Sequence, residues 1–250
     1  MSTTAASPFP VGLVLGHRLT ACRRDDVRAL MSEAITGTTP PIALATLNLQ
    51  IMRLAAGSPD LHGALAGFDH VFADGWPILA LARRAGVHLP ERVTGSDLTP
   101  RTFAWAAEHG WRVGVVGGDD ALHEQLRERL PPEQRSILAG HWSPRYAQGA
   151  TADPALAEQI AAAGVDIVLV ALGAPKQEDW IRTNFAASRA RVAITVGGSI
   201  DMLVGRVRRA PRWVQALRLE FLFRCLQEPR RLAGRYWQDF WFYQSLRRSA

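Results

Sequence analysis

The sequence predicts an α/β protein: a mostly parallel sheet with helices on both faces, followed by a basic helical appendage at the C-terminus. Three observations carry this prediction. Short apolar runs bounded by turn residues alternate with stretches of helical spacing as far as Val196. Beyond Gly198 the alternation gives way to helical patterning alone. Charge divides at the same place. From Arg206 onward eleven arginines face only Glu220, Glu228 and Asp239, a net +8, so a chain of +6 leaves −2 for residues 1–205.

Strands are expected near Val11–Leu15, Ile42–Leu47, His70–Phe72, Arg112–Val116, Ser136–Ala139, Asp166–Ala171 and Val192–Val196. Helices are expected over Asp25–Ile35, Leu49–Ala55, Ile78–Arg84, Leu98–Glu108, Ala121–Leu130, Pro154–Ala163 and Pro175–Phe185. Strands alternating with helices of this length require crossover connections, hence parallel pairing and a Rossmann-like sheet. Two further helices, about Trp213–Leu226 and Arg230–Arg247, flank Glu228-Pro229. The organisation is therefore an α/β catalytic unit over 1–205 and an appendage over 206–250.

Composition narrows the class. With 48% hydrophobic and 21% charged residues in 250, the chain reads as globular. Cys22 and Cys225 stand far apart, which argues against a disulfide framework or a zinc site and suits a reducing cytoplasm. Met1–Pro10 lacks the basic start and apolar core of a signal peptide, and the Ala161–Pro175 run is too short to span a bilayer. The basic tail implies an anionic partner: phospholipid, a diphosphate or nucleic acid. The only lysine, Lys176, lies inside a motif.

In open parallel sheets ligands bind beyond the carboxyl ends of the strands, so polar residues there carry most weight. Those positions hold Thr46-Leu47-Asn48, Asp74-Gly75, Gly117-Gly118, Gly173 to Glu178 and Gly197-Gly198. Asp74 can accept a proton from an attacking hydroxyl, or can simply cap the following helix. The glycine pairs allow backbone amides to approach a phosphate, although Gly117-Gly118 lacks a dinucleotide fingerprint and equally fits a plain turn. In the block from Gly173, Lys176 can offset diphosphate charge while Gln177 hydrogen-bonds a base or a sugar; the alternative is a solvated helix start. Arg92 precedes a turn in which Asp97 or Ser96 reads as a structural helix cap. The seven histidines show no metal-ligand spacing, and no cofactor is expected. Leu232, Tyr236, Phe240 and Tyr243 form one helical stripe with Trp237 and Trp241 beside it, which fits either core packing or an interfacial helix on anionic lipid.

Taken together these residues resemble the WecG/TagA/CpsF family of bacterial glycosyltransferases. The landmarks run in order from Thr46-x-Asn48 through Ala73-Asp74-Gly75 and Arg92-x-x-Gly95-x-Asp97-Leu98. They continue with Leu172-Gly173-x-Pro175-Lys176-Gln177-Glu178-x-Trp180 and Gly197-Gly198-x-x-Asp201. Arg209-Ala210-Pro211-x-Trp213 and Glu228-Pro229-Arg230-Arg231 complete the set. The resemblance implies an inverting, metal-independent transferase using a UDP-sugar of the N-acetylmannosamine or uronic acid type. Its acceptor would be a polyprenyl-diphosphate-linked saccharide at the cytoplasmic face of the membrane, in cell-surface polysaccharide synthesis. By that analogy Asp74 is the base, Thr46 and Asn48 line the pocket, and Arg92, Lys176 and Gln177 contact the donor. Arginines of the appendage, with Arg209, Arg224 and Arg231 as candidates, would reach a diphosphate. A homo-oligomer is compatible with this reading. The chain departs from the family pattern where it has Arg218-Leu219-Glu220-Phe221 in place of Gly-Leu-Glu-Trp, and Thr195 in place of a glycine.

Two other classes are compatible with parts of the sequence. A nucleotide-cofactor oxidoreductase needs a glycine fingerprint and a following acidic residue, and the fingerprint is missing. A nucleic-acid-binding protein would use the basic tail but would leave Asp74 and Lys176 without a role; nucleic acid is not expected as the partner.

Overall fold

A computed structural model describes residues 8–147 and 150–248. A two-stranded antiparallel hairpin, β1 (Val11–Val14) and β2 (His17–Thr20), precedes α1 (Arg24–Ile35). The main sheet begins with β3 (Ile42–Leu47), followed by α2 (Leu49–Ala56), α3 (Pro59–Ala66), β4 (His70–Ala73), α4 (Trp76–Arg84) and α5 (Gly95–His109). Its second part comprises β5 (Val113–Gly117), α6 (Leu122–Arg129), α7 (Pro132–Arg135), β6 (Leu138–Trp142), α8 (Pro154–Ala162), β7 (Ile167–Ala171), α9 (Lys176–Ser188) and β8 (Val192–Thr195). The chain continues through α10 (Ser199–Leu203), α11 (Arg212–Ala216), α12 (Glu220–Gln227) and α13 (Pro229–Arg248).

The six main strands are ordered β4-β3-β8-β7-β5-β6 and all pair in parallel. Strand side chains alternate between two cores. Ala43, Ala45, Leu47, Val168 and Val170 join α2, α3, α4, α8 and α9 on one face. Ile42, Leu44, Ile167, Leu169, Val192 and Ile194 join α1, α5 and α6 on the other. Burial on both faces explains why these strands are nearly continuous apolar runs. The chain moves from β3 outward to β4, then crosses to β5 on the far side, so the order reverses around β3 and β8. A crevice is expected there, beyond the carboxyl ends.

Three expectations need correction. The run at Val11–Leu15 belongs to the separate hairpin; Leu15 and Gly16, with φ of 49° and 82°, supply the two left-handed positions of a tight turn that returns the chain as β2. The segment after α2 also holds α3, capped by Ser58, whose Oγ accepts from the Leu61 N–H, with Pro59 in its first turn. Finally, the single helix expected over Trp213–Leu226 is two, broken at Arg218, where φ is 61°.

The last helix packs part of the aromatic stripe and leaves other aromatics exposed. Leu232 is buried, and Phe242, Tyr243 and Leu246 pack against the core of the first face. Asp239, also buried, pairs with Arg53 of α2 at 2.7 Å. Phe240 does not share that inward side: it stacks on Trp237, and both meet Trp241 edge to face, in an exposed cluster. The inward stripe therefore runs through Asp239 instead of Phe240.

Candidate active site

Parallel register brings the carboxyl ends of β3, β4 and β8 to one edge. Leu47 pairs with Ala73, and the Asp74 N–H donates to the Leu47 carbonyl at 2.8 Å, so Asp74 is fixed by the backbone of the strand beside it. Gly75, at φ 102°, then turns the chain into α4 and occupies its N-cap position. Asp74 is thus not that helix's cap, and its carboxylate is left for other partners.

The partners come from the loop before α5. Thr94 caps α5 by accepting the Asp97 N–H, so neither Asp97 nor Ser96 is the cap that the sequence suggested. This geometry carries Gly95 against the end of β8, where a Cβ would lie 2.9 Å from Ser199 Oγ and 3.2 Å from the Val196 carbonyl. Without that side chain, the Gly95 N–H reaches the Asp74 carboxylate. Burial pushes the Asp74 carboxyl up to about 6, with Glu220 and Asp97 adding to the rise while Arg92 and the Gly95 N–H oppose it. Such a group is ionised above pH 6 and has raised basicity, as a general base requires.

Arg92 is mostly buried and pairs with Glu220 at 2.7 Å. Its guanidinium lies 5.6 Å from the centre of the Trp76 ring, and Arg218 of the appendage lies 4.4 Å from the same ring. Asp97 fastens the appendage a second time. Arg209 donates to Asp97 and to the Ser96 carbonyl, and Arg24 stands 3.5 Å from Asp97. Burial disfavours its charge, yet Arg209, Thr94 and Arg24 outweigh it and hold the carboxyl below its usual range. A cavity of about 380 Å³ opens beside these groups, lined by Arg24, Trp76, Glu91, Arg92, Asp97, Gln215 and Ala216.

The other expected residues divide into those near this cluster and those away from it. Thr46 is buried at the β3–β8 joint; its N–H donates to Thr195 Oγ1 at 3.1 Å and its hydroxyl to the Thr195 carbonyl at 3.4 Å. Asn48 caps α2 through Oδ1, which accepts the Ile51 N–H at 3.0 Å. Gly197 and Gly198 follow β8, and a Cβ on Gly198 would lie 3.9 Å from the Arg224 guanidinium, which also pairs with Glu228. Gln177 is buried with its amide oxygen near Gly197. These positions surround the end of β8.

Gly117 and Gly118 lie elsewhere on the edge. Four strand spacings separate β5 from β4, about 19 Å at 4.8 Å per strand. Both glycines have a packing reason: a Cβ at 117 would lie 2.7 Å from the Ala171 carbonyl group, and one at 118 would lie 2.5 Å from Leu122. Gly173, at φ 73°, has open space around it and receives the Gln177 N–H on its carbonyl. Lys176 donates to the Tyr146 carbonyl at 2.7 Å and so ties α9 to the segment after β6. Arg231 is exposed and pairs with Glu228 at 2.7 Å.

Sequence reasoning gave no role to three residues around the candidate base, Trp76, Arg218 and Glu220. Glu220 had a legible signal, as one of three carboxylates in a segment of net +8. Trp76 followed Asp74-Gly75 directly. Among the described residues no group of three or more His, Cys, Asp or Glu side chains is placed to hold a metal ion.

A half-buried carboxyl of raised basicity, bordered by arginines at the reversal point of a parallel sheet, suits transfer between a hydroxyl and an anionic leaving group. The family model for the Glycosyl transferase WecG/TagA/CpsF family matches residues 13–250. That match spans the sheet, the candidate base and the arginine-rich helices together, and the chain belongs to the WecG/TagA/CpsF family of glycosyltransferases.

Proposed function

We propose that the protein is an inverting glycosyltransferase that moves an N-acetylmannosamine-type or uronic acid sugar from a UDP-sugar to a polyprenyl-diphosphate-linked saccharide, in the assembly of a cell-surface polysaccharide. The observation that carries this reading is the Asp74 environment: a half-buried carboxyl raised to about 6, met by Arg92 and the Gly95 N–H, beneath an arginine-bearing appendage. Asp74 takes the proton of the attacking acceptor hydroxyl. The acceptor oxygen bonds to the anomeric carbon from the face opposite the leaving group, and the bond from that carbon to the diphosphate oxygen breaks. The charge left on the diphosphate is met by Arg92 and Arg224, with Arg218 and Arg209 within the same appendage and Arg231 farther out. No metal is assigned to this step, so turnover is expected to persist in excess EDTA.

The appendage also supplies a means of reaching a lipid-held acceptor. Among the described residues no helix is long and apolar enough to cross a membrane. Exposed large apolar side chains nevertheless cluster on α11 to α13: Trp213, Leu217, Phe221, Leu226, Trp237 and Trp241 are prominent. Together with the arginines they form a surface suited to the headgroup region of an anionic bilayer. We place the protein at the cytoplasmic face of the cell membrane, bound peripherally, with residues 206–250 as the docking unit. The test is a panel of UDP- and GDP-sugars offered with a short polyprenyl-diphosphate saccharide, with products read by mass spectrometry. Transfer from a GDP-sugar alone, or from none, overturns the donor assignment.

A further inference from the structure

The hairpin that opens the chain departs from the pattern its architecture calls for. A two-stranded antiparallel sheet lying on a core turns apolar side chains inward and polar ones to water. In β1 and β2 the inward face is regular. Val14 and Leu19 are fully buried, and a Cβ on Gly12 would lie 2.1 Å from Val87, just past α4. The outward face is not polar. Leu13 is 64% exposed and Val11 40%, and across the ladder from Leu13 stands Arg18, also exposed. Leu15, 50% exposed, occupies the turn at φ 49°, a position where Asn, Asp or Gly is usual and a leucine is sterically disfavoured. With half of that side chain in water, packing within the chain does little to offset the cost.

Charge is a second, independent feature of the same place. Arg83 and Arg84 end α4, on which β1 packs, and Arg84 donates to the Arg247 carbonyl at 3.2 Å, which brings in the last turn of α13. The three segments that meet here, 8–22, 76–90 and 240–248, contain Arg18, Arg83, Arg84, Arg247 and Arg248 and no aspartate or glutamate. All five arginines are exposed, and the next acid along the chain, Glu91, is engaged by Arg24. Exposed leucines among cations fit a partner that is anionic at its surface and apolar beneath, as an anionic phospholipid layer is.

We propose that the β1–β2 hairpin is a second membrane contact, in which Leu13 and Leu15 enter the headgroup region of an anionic bilayer while Arg18, Arg83 and Arg84 meet its phosphates. The inference goes beyond the docking role given to residues 206–250, and it uses none of the aromatic side chains of α11 to α13. Its consequence is mechanical. A protein held by one interfacial helix can roll about that helix. A contact on another element, beside the helix end, stops the roll and holds the cleft at a fixed angle to the lipid surface.

The test is sedimentation of the full-length protein with vesicles of equal parts phosphatidylglycerol and phosphatidylcholine, against phosphatidylcholine alone. Leu13→Thr with Leu15→Asn keeps a strand-forming residue in the strand and a residue that tolerates left-handed backbone in the turn, so the melting temperature should hold. Binding to the anionic vesicles should weaken about tenfold, because interfacial affinity follows the apolar area buried. Should this variant melt lower, Leu15→Asn alone, outside the strands, takes its place. Arg18→Gln with Arg83→Gln leaves the Arg84–Arg247 contact intact and should weaken binding to anionic vesicles about fivefold per arginine, with neutral vesicles unaffected. Changing Trp237, Phe240 and Trp241 to Ser in parallel keeps the two contacts apart. If that variant loses binding while the hairpin variants keep the wild-type level, the appendage docks alone and this inference is overturned. If only the hairpin variants lose binding, the hairpin contact stands and the docking role of the appendage falls. Wild type that ignores both vesicle types removes both. A dimer seen by sedimentation velocity without lipid, and dissolved by the leucine changes at unchanged vesicle binding, makes this face a self-association surface and overturns the proposal.

Discussion

The two walls of the cleft are held in place by different forces. On the sheet side, Asp74 is fixed by a backbone hydrogen bond to β3, Thr46 by hydrogen bonds to Thr195 of β8, and Gly95 by close packing against β8. On the appendage side, Arg209, Glu220 and Arg224 are held mainly by charge pairs with side-chain partners, and much of the surrounding apolar surface faces outward. Hydrogen-bonded strand ends keep a reacting group within a few tenths of an ångström, as proton transfer requires. Ion pairs near a surface are individually weak and sensitive to salt. On the proposed mechanism, proton transfer falls to the stiff wall and charge neutralisation, Arg92 apart, to the adjustable one.

The sharpest test of the stiff wall is Asp74→Asn. Turnover should fall by about 10²–10⁴-fold, the usual contribution of a general base. Stability should move the opposite way. The folded carboxyl, near 6, lies above the ordinary value of 3.8, so the native state binds the extra proton and ionisation costs stability as pH rises between those values. The variant escapes that cost. At pH 7–8 it should be more stable than the wild type by on the order of 1–3 kcal/mol, an advantage that disappears below about pH 4. An inactive variant that melts lower at pH 8 would break the assignment of a base whose carboxyl is raised by its surroundings.

Next in size is the attachment of α13. Arg53→Ala should cost about 3 kcal/mol, because Asp239 would remain buried without its partner. Replacing the pair together, as Arg53→Met with Asp239→Leu, should recover most of that loss in a melting experiment. If the single change is silent, α13 is not anchored through this pair and the whole appendage is looser than its contacts indicate.

The outer face should respond differently. Changing Trp237, Phe240 and Trp241 together to Ser should leave the melting temperature within a few degrees, since these rings are exposed, yet reduce sedimentation with anionic vesicles at least tenfold. Deleting residues 206–250 confounds the two effects, because it also uncovers the core beneath Leu232 and Tyr243. The smallest expected effect is that of Glu220→Gln. Glu220 adds to the rise of the Asp74 carboxyl, so the acid limb of the rate profile should move to lower pH by less than about one unit, where shifts near exposed partners are modest. A shift to higher pH would mean that Glu220 acts chiefly by orienting Arg92.

The sequence was most legible where one force dominates. Strands β3, β7 and β8 are buried on both faces, so their apolar runs mark them within about a residue. Asp74 could be placed on the sheet edge because strand ends and parallel pairing follow from the alternation, whereas Arg92, in the loop before α5, was reached only through the family resemblance. Legibility failed where several forces compete. His17–Thr20 contains Arg18 and is only four residues long, so periodicity could not identify β2. Helical spacing alone allows Leu232 to share a face with either Asp239 or Phe240, and the ion pair to Arg53, invisible in one dimension, decided it. Arg218 breaks the helix in a left-handed conformation that no local residue type announces. Glu178 stood inside a recognised motif, but its burial depends on contacts distant in the chain.

The joint between β3 and β8 also governs when the protein can first act. Thr46 meets Thr195 at the centre of the sheet, and β8 lies between β3 and β7, so the two halves of the sheet have no shared strand without it. At a synthesis rate of about 5–20 residues per second, on the order of 10–30 s pass between the appearance of Ile42 and that of Val192. Throughout that interval β3 and β4 can pair, but the other edge of β3, the apolar run Ile42–Leu47, waits open. The main sheet thus cannot close before β8 has emerged, and until then the slot beside β3 is its most exposed apolar edge.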